Sequence, residues 1–204
     1  MIVIVDYGMG NLGSVANIIR KVGGKAAISQ GDDDLRRADK LILPGVGSFD
    51  NGMDNLRRRG YEEVLTETVR SGTPLLGICL GMQLLSRRSE EGAAPGLGWI
   101  DADTRRFRFD ADAAALRVPH MGWNTIRVTR PHPLFPDPDA AKRFYFVHSY
   151  HVCCDRDENV LATTRHGCEF TSAVVSDNIV GVQFHPEKSH RYGMELMKHF
   201  VEDL

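Results

Sequence analysis

Cys79 stands between two glycines in the stretch Gly77-Ile78-Cys79-Leu80-Gly81. The stretch follows the apolar run Leu75 to Ile78 and opens the short apolar helical pattern Leu80 to Leu85. Glycine, any residue, nucleophile, any residue, glycine, at a strand-to-helix junction, is the pattern of a nucleophile elbow, here with Cys where Ser is common. The glycines are needed because so tight a turn leaves no room for a nearby Cβ. Such a turn lifts the sulfur to the carboxyl edge of a sheet, where the unpaired N–H groups of the helix start face it. A lone cysteine in an apolar run is more often an inert small hydrophobe. The flanking glycines and the junction are what point to nucleophilic chemistry.

A cysteine nucleophile needs a base, and the base needs an orienting group. Gln183-Phe184-His185-Pro186-Glu187 supplies both, just past the apolar run Ile179 to Val182. With Pro186 holding the chain extended, Glu187 projects to the same side as His185. Its carboxylate can accept from one imidazole nitrogen while the other faces the sulfur. Alone, this would be a strand-end histidine near a surface acid; beside the elbow it completes a Cys79–His185–Glu187 triad for acyl transfer. The oxyanion donors expected for such a site are the Leu80 N–H, next after the nucleophile, and the loop Gly45-Val46-Gly47 at the same sheet edge.

Other constellations lead elsewhere. Gly8-Met9-Gly10-Asn11-Leu12-Gly13 fits a dinucleotide-binding fingerprint, with acids at Asp32 to Asp34 some twenty residues on. That pattern is common by chance, and the chain has no room for a separate substrate domain, so a tight exposed loop is expected instead. His148, His151, Cys153 and Cys154 follow no zinc spacing. In one continuous strand His148 and Cys154 would face one way and His151 and Cys153 the other, so no metal is expected. Arg57-Arg58-Arg59, and Arg105-Arg106 with Arg108, are expected as solvated faces.

The elements that must position these residues alternate in the first half. Strands are expected at Ile2–Val5, Ala26–Ser29, Leu41–Leu43 and Leu75–Ile78. Helical patterns lie at Ser14–Val22, Asp32–Arg37, Asp50–Arg58 and Tyr61–Arg70. This βαβα order implies a parallel sheet with helices on both faces. The second half predicts strands at Thr125–Val128, Arg143–Val152, Val160–Thr164, Glu169–Val175 and Ile179–Phe184, then a helix at Tyr192–Val201, hence a mixed or antiparallel sheet. Ala111 to Ala115 is expected as a surface turn or hairpin end.

At 204 residues the chain is expected to be one domain, 1–204. A formal charge of −2 gives no general attraction to phosphate backbones, so nucleic-acid binding is disfavoured. No apolar run approaches bilayer length. The early Asp6 and the lack of a basic leader do not suit a signal peptide. Four cysteines without CxxC pairing suit a reducing compartment, so a cytoplasmic location with free thiols is expected.

The motifs together resemble the class I (triad-type) glutamine amidotransferases, and within them the glutaminase subunits of imidazole glycerol phosphate synthases. Besides the elbow and the His-Pro-Glu motif, the resemblance rests on Asp6-Tyr7-Gly8-Met9-Gly10-Asn11, Pro119-His120-Met121-Gly122-Trp123-Asn124 and Phe146-Val147-His148-Ser149-Tyr150, spanning nearly the whole chain. It implies a three-layer flavodoxin-like α/β fold with a central mixed, mostly parallel sheet, and no cofactor.

The resemblance also implies a division of labour. Cys79 would attack the carboxamide of L-glutamine, with Gln83, Glu91, Gly47, Ser149 and Tyr150 holding the substrate. Glu91 would face its α-ammonium, and Ser149 and Tyr150 its α-carboxylate. Ammonia would pass to a (β/α)8-barrel cyclase subunit in a heterodimer. There it would help convert a phosphoribosyl-formimino-carboxamide ribonucleotide (PRFAR) to imidazole glycerol phosphate and aminoimidazole carboxamide ribonucleotide (AICAR). Asn11, His120, Met121 and Trp123 would lie at or near that interface; tryptophan is in any case a frequent interface anchor. Arg165-His166-Gly167 and Lys198-His199-Phe200 depart from the usual family pattern; both are peripheral to the triad, so local changes in packing or interface are expected rather than lost chemistry. A triad glutaminase feeding another acceptor would share the elbow and the His-Pro-Glu motif, so only the interface segments separate the two readings.

Overall fold

A computed structural model describes residues 1–109 and 116–204; the turn expected at Ala111–Ala115 lies outside the described residues. The first half builds the alternating pattern. Its strands are β1 (Ile2–Ile4), β2 (Ala26–Ile28), β3 (Lys40–Gly45) and β4 (Leu75–Cys79), and its helices α1 (Leu12–Lys21), α2 (Asp32–Arg36), α3 (Phe49–Arg58), α4 (Tyr61–Arg70) and α5 (Leu80–Leu84). β1 and β4 are buried throughout, as continuous apolar runs between two helical layers must be. α1 starts at Leu12 because Asn11 caps it, its side chain accepting from the Ser14 N–H at 3.1 Å. That cap explains the Gly8–Gly13 fingerprint as a turn into a helix, with Gly8 and Gly10 at positive φ.

The second half contributes β5 (Ala102–Arg106), β6 (His120–Val128), β7 (Lys142–His148), β8 (Tyr150–Cys154), β9 (Val160–His166), β10 (Cys168–Ser176), β11 (Ile179–Val182) and α6 (His190–Glu202). One mixed sheet runs β2-β1-β3-β4-β11-β10-β9-β6-β7, with β8 on β10 and β5 on β8. Parallel pairing between strands is confined, among the described residues, to β2-β1-β3-β4-β11; the other six strands pair antiparallel with their neighbours in the mixed sheet.

The cores lie on the two faces of the sheet, giving three layers. Ile2, Ile4, Ile42, Leu76, Ile78 and Val182 pack with α1 and α6 through Val15, Ile19, Met197 and Phe200. Val3, Val5, Leu41, Leu43 and Leu75 pack with α3 and α4 through Phe49, Met53, Leu56, Val64 and Leu65. Alternate residues of one strand thus serve opposite layers.

Three elements differ from the sequence expectation. β5 has no counterpart in the sequence pattern, because Asp-Thr-Arg-Arg carries no apolar alternation. It is held by its pairing to β8 and by the Asp103 carboxylate, which accepts from Arg87 Nε at 3.2 Å and Arg88 Nη2 at 2.9 Å. β6 begins at His120 rather than Thr125, since Gly122, at φ +125°, is carried within the strand. The expected strand 143–152 is two strands, because the chain leaves the ladder with β6 after His148 and joins β10 and β5 from Tyr150.

The segment 183–187 hangs from this frame. Phe184 is fully buried and stacks on Phe144 with ring centroids 3.9 Å apart. Phe184→Ala is expected to cost about 3–5 kcal/mol, read as a lowered urea midpoint.

Candidate active site

Cys79 ends β4 and α5 follows directly, so the sulfur sits at the carboxyl edge of the parallel strands. Cys79 has φ +54°, a left-handed value that a residue with a Cβ adopts only when its surroundings dictate it. What dictates it is close packing. A Cβ on Gly81 would lie 1.8 Å from the Leu43 carbonyl oxygen, and one on Gly77 would lie 2.9 Å from the Gly81 carbonyl oxygen. The glycines of the elbow therefore let α5 start against β3 and β4. Gly45, at the end of β3, pairs in register with Cys79. The next residue, Val46, is 52% exposed, so the loop leaves the sheet beside the nucleophile, and Leu80 opens α5 at its other side. The two expected sources of oxyanion donors thus flank Cys79. The fully buried Tyr7 hydroxyl meets no polar partner among the described residues and lies against Gly45. Burial, then the proximity of Cys79, pushes the Tyr7 phenol above its usual value and keeps it protonated.

His185 and Glu187 come together as expected, by a different backbone. β11 ends at Val182, and Pro186–Lys188 form a 3-10 turn rather than continuing extended. Pro186 at the first position of the turn fixes its φ and has no N–H to satisfy. His185 Nδ1 lies 2.8 Å from Glu187 Oε1, and both side chains are almost wholly buried. With Nδ1 engaged, Nε2 is the nitrogen left for the sulfur. Burial alone would favour a neutral ring. Nε2 itself has no hydrogen-bond partner among the described residues, but the proximity of the Cys79 sulfur and the bond to Glu187 outweigh burial and push His185 up to about 9.

Ser189 anchors this turn, donating to the His185 carbonyl at 2.6 Å and accepting from the Tyr145 N–H at 3.0 Å. The His185 N–H in turn donates to the Tyr145 carbonyl at 2.9 Å. A Cβ on Gly193 would lie 1.8 Å from the Pro186 carbonyl oxygen, so α6 presses directly on the turn.

The remaining expected residues divide. Gln83 is buried, and its Nε2 donates to the Tyr150 carbonyl at 3.1 Å and to Gln183 Oε1 at 3.0 Å. Ser149 and Tyr150 stand at the break between β7 and β8, and the Ser149 carbonyl accepts from the Phe107 N–H. Glu91 Oε2 accepts from the Phe49 N–H at 2.8 Å, which puts the carboxylate at the start of α3, just after Gly47 and Ser48. Asn11, Met121 and Trp123 reach solvent, whereas the alternation of β6 turns His120 inward.

Gln183 joins the site although its residue type does not mark it for chemistry. It is fully buried, and its Nε2 donates to Cys79 Sγ at 3.8 Å. The signal was present, since Gln183 stands two residues before His185 on the same apolar strand end. Among the described residues no group of three or more His, Cys, Asp or Glu side chains could hold a metal ion, and no helix is long and apolar enough to cross a membrane.

Comparison with known proteins matches residues 3–204 to the family "Glutamine amidotransferase class-I". The chain is 51% identical over 203 residues to imidazole glycerol phosphate synthase subunit HisH 2 of Pseudomonas aeruginosa and, equally, to that of Methanococcus maripaludis, covering 99% of both chains in each case. It is 48% identical to the HisH subunit of Sulfurimonas denitrificans, covering 99% of this chain and 98% of the relative. Among solved structures, a glutamine amidotransferase from Thermotoga maritima shares the fold with a TM-score of 0.67 at 18% identity, covering 98% of this chain and 80% of that one.

The His185–Glu187 pair sets a pH-dependent expectation. The folded value of His185, about 9, lies above its usual 6.5. The stability that the protonated ring contributes, through Cys79 first and Glu187 second, is therefore complete below about 6.5 and is lost as pH rises through about 9. In Glu187→Gln the titration midpoint of the His185 ring, followed by NMR, is expected to fall toward the usual value. The stability gap between wild type and variant should then narrow as pH rises. An unchanged midpoint would mean that the carboxylate does not support the imidazolium.

Proposed function

The chain belongs to the class-I glutamine amidotransferases, and from that premise we propose that it is the glutaminase subunit of an imidazole glycerol phosphate synthase. The observation that carries the reading is Cys79 on its strained elbow with the His185–Glu187 pair at 2.8 Å beside it. The full-length relatives named as subunits of that synthase supply the acceptor system.

The Cys79 thiolate attacks the side-chain carbonyl carbon of L-glutamine and forms a C–S bond. The carbonyl electron pair moves to oxygen, where the Leu80 N–H and the Gly45-Val46-Gly47 loop face it. The high affinity of His185 for its proton makes it cationic at neutral pH. It passes that proton to the departing nitrogen as the tetrahedral intermediate collapses, and ammonia leaves a thioester. The neutral ring then takes a proton from water, whose oxygen attacks the thioester carbon, and the C–S bond breaks to give glutamate and the thiolate. Glu187 holds the ring in one orientation throughout. Glu91 faces the α-ammonium of the substrate, and Gly47, Ser149, Tyr150 and Gln83 line the rest of its pocket.

Ammonia passes to the cyclase partner, built as a (β/α)8 barrel, which uses it to convert PRFAR to imidazole glycerol phosphate and AICAR. Met121 and Trp123, 62% and 40% exposed, offer that partner apolar anchors on β6, and Asn11 is exposed as well. His120 supports this face from beneath rather than forming part of it. No nucleic acid or membrane enters the scheme, no cofactor is required, and the cytoplasm is the compartment in which histidine biosynthesis would place it.

Cys79→Ala is expected to lower glutamine hydrolysis by about 10⁴-fold or more, measured as glutamate released. Wild-type hydrolysis should be weak alone and rise strongly when the cyclase with its nucleotide is added. Full activity in isolation, unchanged by that partner, would overturn the partner-dependent part. Recovery of a different synthase in a pull-down would reassign the acceptor.

A further inference from the structure

An unbroken series of hydrogen bonds runs from β6 to Cys79. Asn124 Nδ2 donates to the Arg165 carbonyl at 3.0 Å, an atom that only accepts, while Asn124 Oδ1 takes the Thr125 N–H at 2.8 Å. The amide orientation is therefore fixed, and the contact from Nδ2 to His120 Nε2 at 3.1 Å makes that nitrogen an acceptor. The His120 proton then sits on Nδ1 and is donated to His148 Nε2 at 3.0 Å. The His148 proton sits on Nδ1 and goes to the Tyr150 carbonyl at 2.7 Å. The same carbonyl accepts from Gln83 Nε2 at 3.1 Å; the other Gln83 proton goes to Gln183 Oε1 at 3.0 Å, and Gln183 Nε2 reaches Cys79 Sγ at 3.8 Å. Carbonyl groups with no proton to give thus dictate both tautomers.

The ladder works with two neutral rings, and its surroundings supply them. His120 and His148 are only 4% and 6% exposed. Phe107, Phe146 and Phe170 lie against both, His166 stacks on His120 at 4.3 Å, and the aromatic wall continues to His151. Burial first, and His166 second, pushes His120 down to about 4; burial also pushes His148 well down, against its bond to the Tyr150 carbonyl.

A satisfied buried network can be merely structural. This one has two ends that make it more. Its outer rungs, His120 and Asn124, alternate along β6 with the solvent-facing Met121 and Trp123. Its inner end is the nucleophilic sulfur.

We propose that His120, His148 and Gln183 are positioning residues that fix the Cys79 sulfur and transmit the placement of the exposed β6 face to it. The proposal rests on the reading of Cys79 as the glutaminase nucleophile. Gln183 donates its N–H to the Cys79 sulfur, and the ladder holds the Tyr150 carbonyl that keeps Gln83, and through it Gln183, in that pose. A displacement of β6 alters the first bonds of the series, and the sulfur loses part of its donor.

The test is the pH profile of Cys79 alkylation by iodoacetamide, read by mass spectrometry of the Cys79 peptide in the full-length chain. His120→Phe keeps a buried ring but removes the donor; His120→Asn keeps a donor near the Nδ1 position. Expected is an upward move of the alkylation midpoint by about half to one pH unit in His120→Phe, and by at least as much in Gln183→Met, with recovery in His120→Asn. Superimposable profiles, or Asn behaving as Phe does, would overturn the proposal. Should a buried variant fail to fold, ¹⁵N NMR of the wild-type imidazoles decides. Protons on Nδ1 of both His120 and His148, with the His120 proton redistributed in the half-buried Asn124→Ala, support the ladder; Nε2 protons in the wild type overturn it. Alkylation requires no glutamine turnover, so a failure of this proposal and a failure of the glutaminase reading are separately visible.

Discussion

A cysteine held at positive φ is the constraint on which the molecule depends. Such a conformation costs of order 1–3 kcal/mol for a residue with a side chain, and it persists only where the surroundings over-determine it. Here β4 lies between β3 and β11, in parallel pairing on both sides, so its end cannot relax sideways. The turn cannot open either, because Gly81 lies directly against the Leu43 carbonyl. The buried parallel core thus supplies the energy that keeps the sulfur proud of the sheet edge. The apolar runs that make the strands and the glycines that make the elbow are two parts of one requirement.

The second demand is electrostatic. A histidine and a glutamate buried together are costly unless each satisfies the other. The 2.8 Å contact, and the thiol that shares the ring's other side, turn that cost into a proton held tightly at neutral pH. The ring reaches this state from a short turn rather than a strand, and the turn is rigid because Ser189 ties it to Tyr145 on β7 while α6 closes on Pro186. Nucleophile and base therefore come from opposite kinds of local structure. One is a strained strand end within the parallel sheet; the other is a turn bonded to the antiparallel half.

This division explains what the sequence disclosed. The parallel half was legible because fully buried strands leave unbroken apolar runs and the elbow leaves glycines at fixed places. Cys79, His185 and Glu187 were legible because their chemistry demands those residue types. The antiparallel half was less so. Asp103 and its two arginines hide β5 inside a charged stretch, since a strand fixed by non-local pairing needs no apolar alternation of its own. Spacing of two residues between His185 and Glu187 fits an extended chain and a 3-10 turn alike, so periodicity could not choose. Gln183 carries no charge and no nucleophile, and only its distance from the sulfur reveals it. The motif that carries His120 gives no sign of which of its side chains faces solvent; period-two alternation from the start of β6 turns His120 inward, beneath the exposed Met121 and Trp123.

That inward turn matters for how an outer surface can govern a buried reaction. Trp123 stacks on His190, with ring planes 6° apart, at the first residue of α6 and next to Ser189. Its neighbours His120 and Asn124 begin the series that ends at Cys79. One exposed strand is therefore linked to the base through the Ser189 turn and to the nucleophile through the imidazole ladder. Neither link crosses the parallel core, where displacement would break the packing that holds the elbow. On the proposed coupling, a surface event on β6 would reach the sulfur and the imidazole by re-aiming hydrogen bonds rather than by opening a core. Hydrogen-bonded links suit this task better than apolar contacts, because donation fails steeply with angle and distance whereas dispersion between packed side chains falls off gradually.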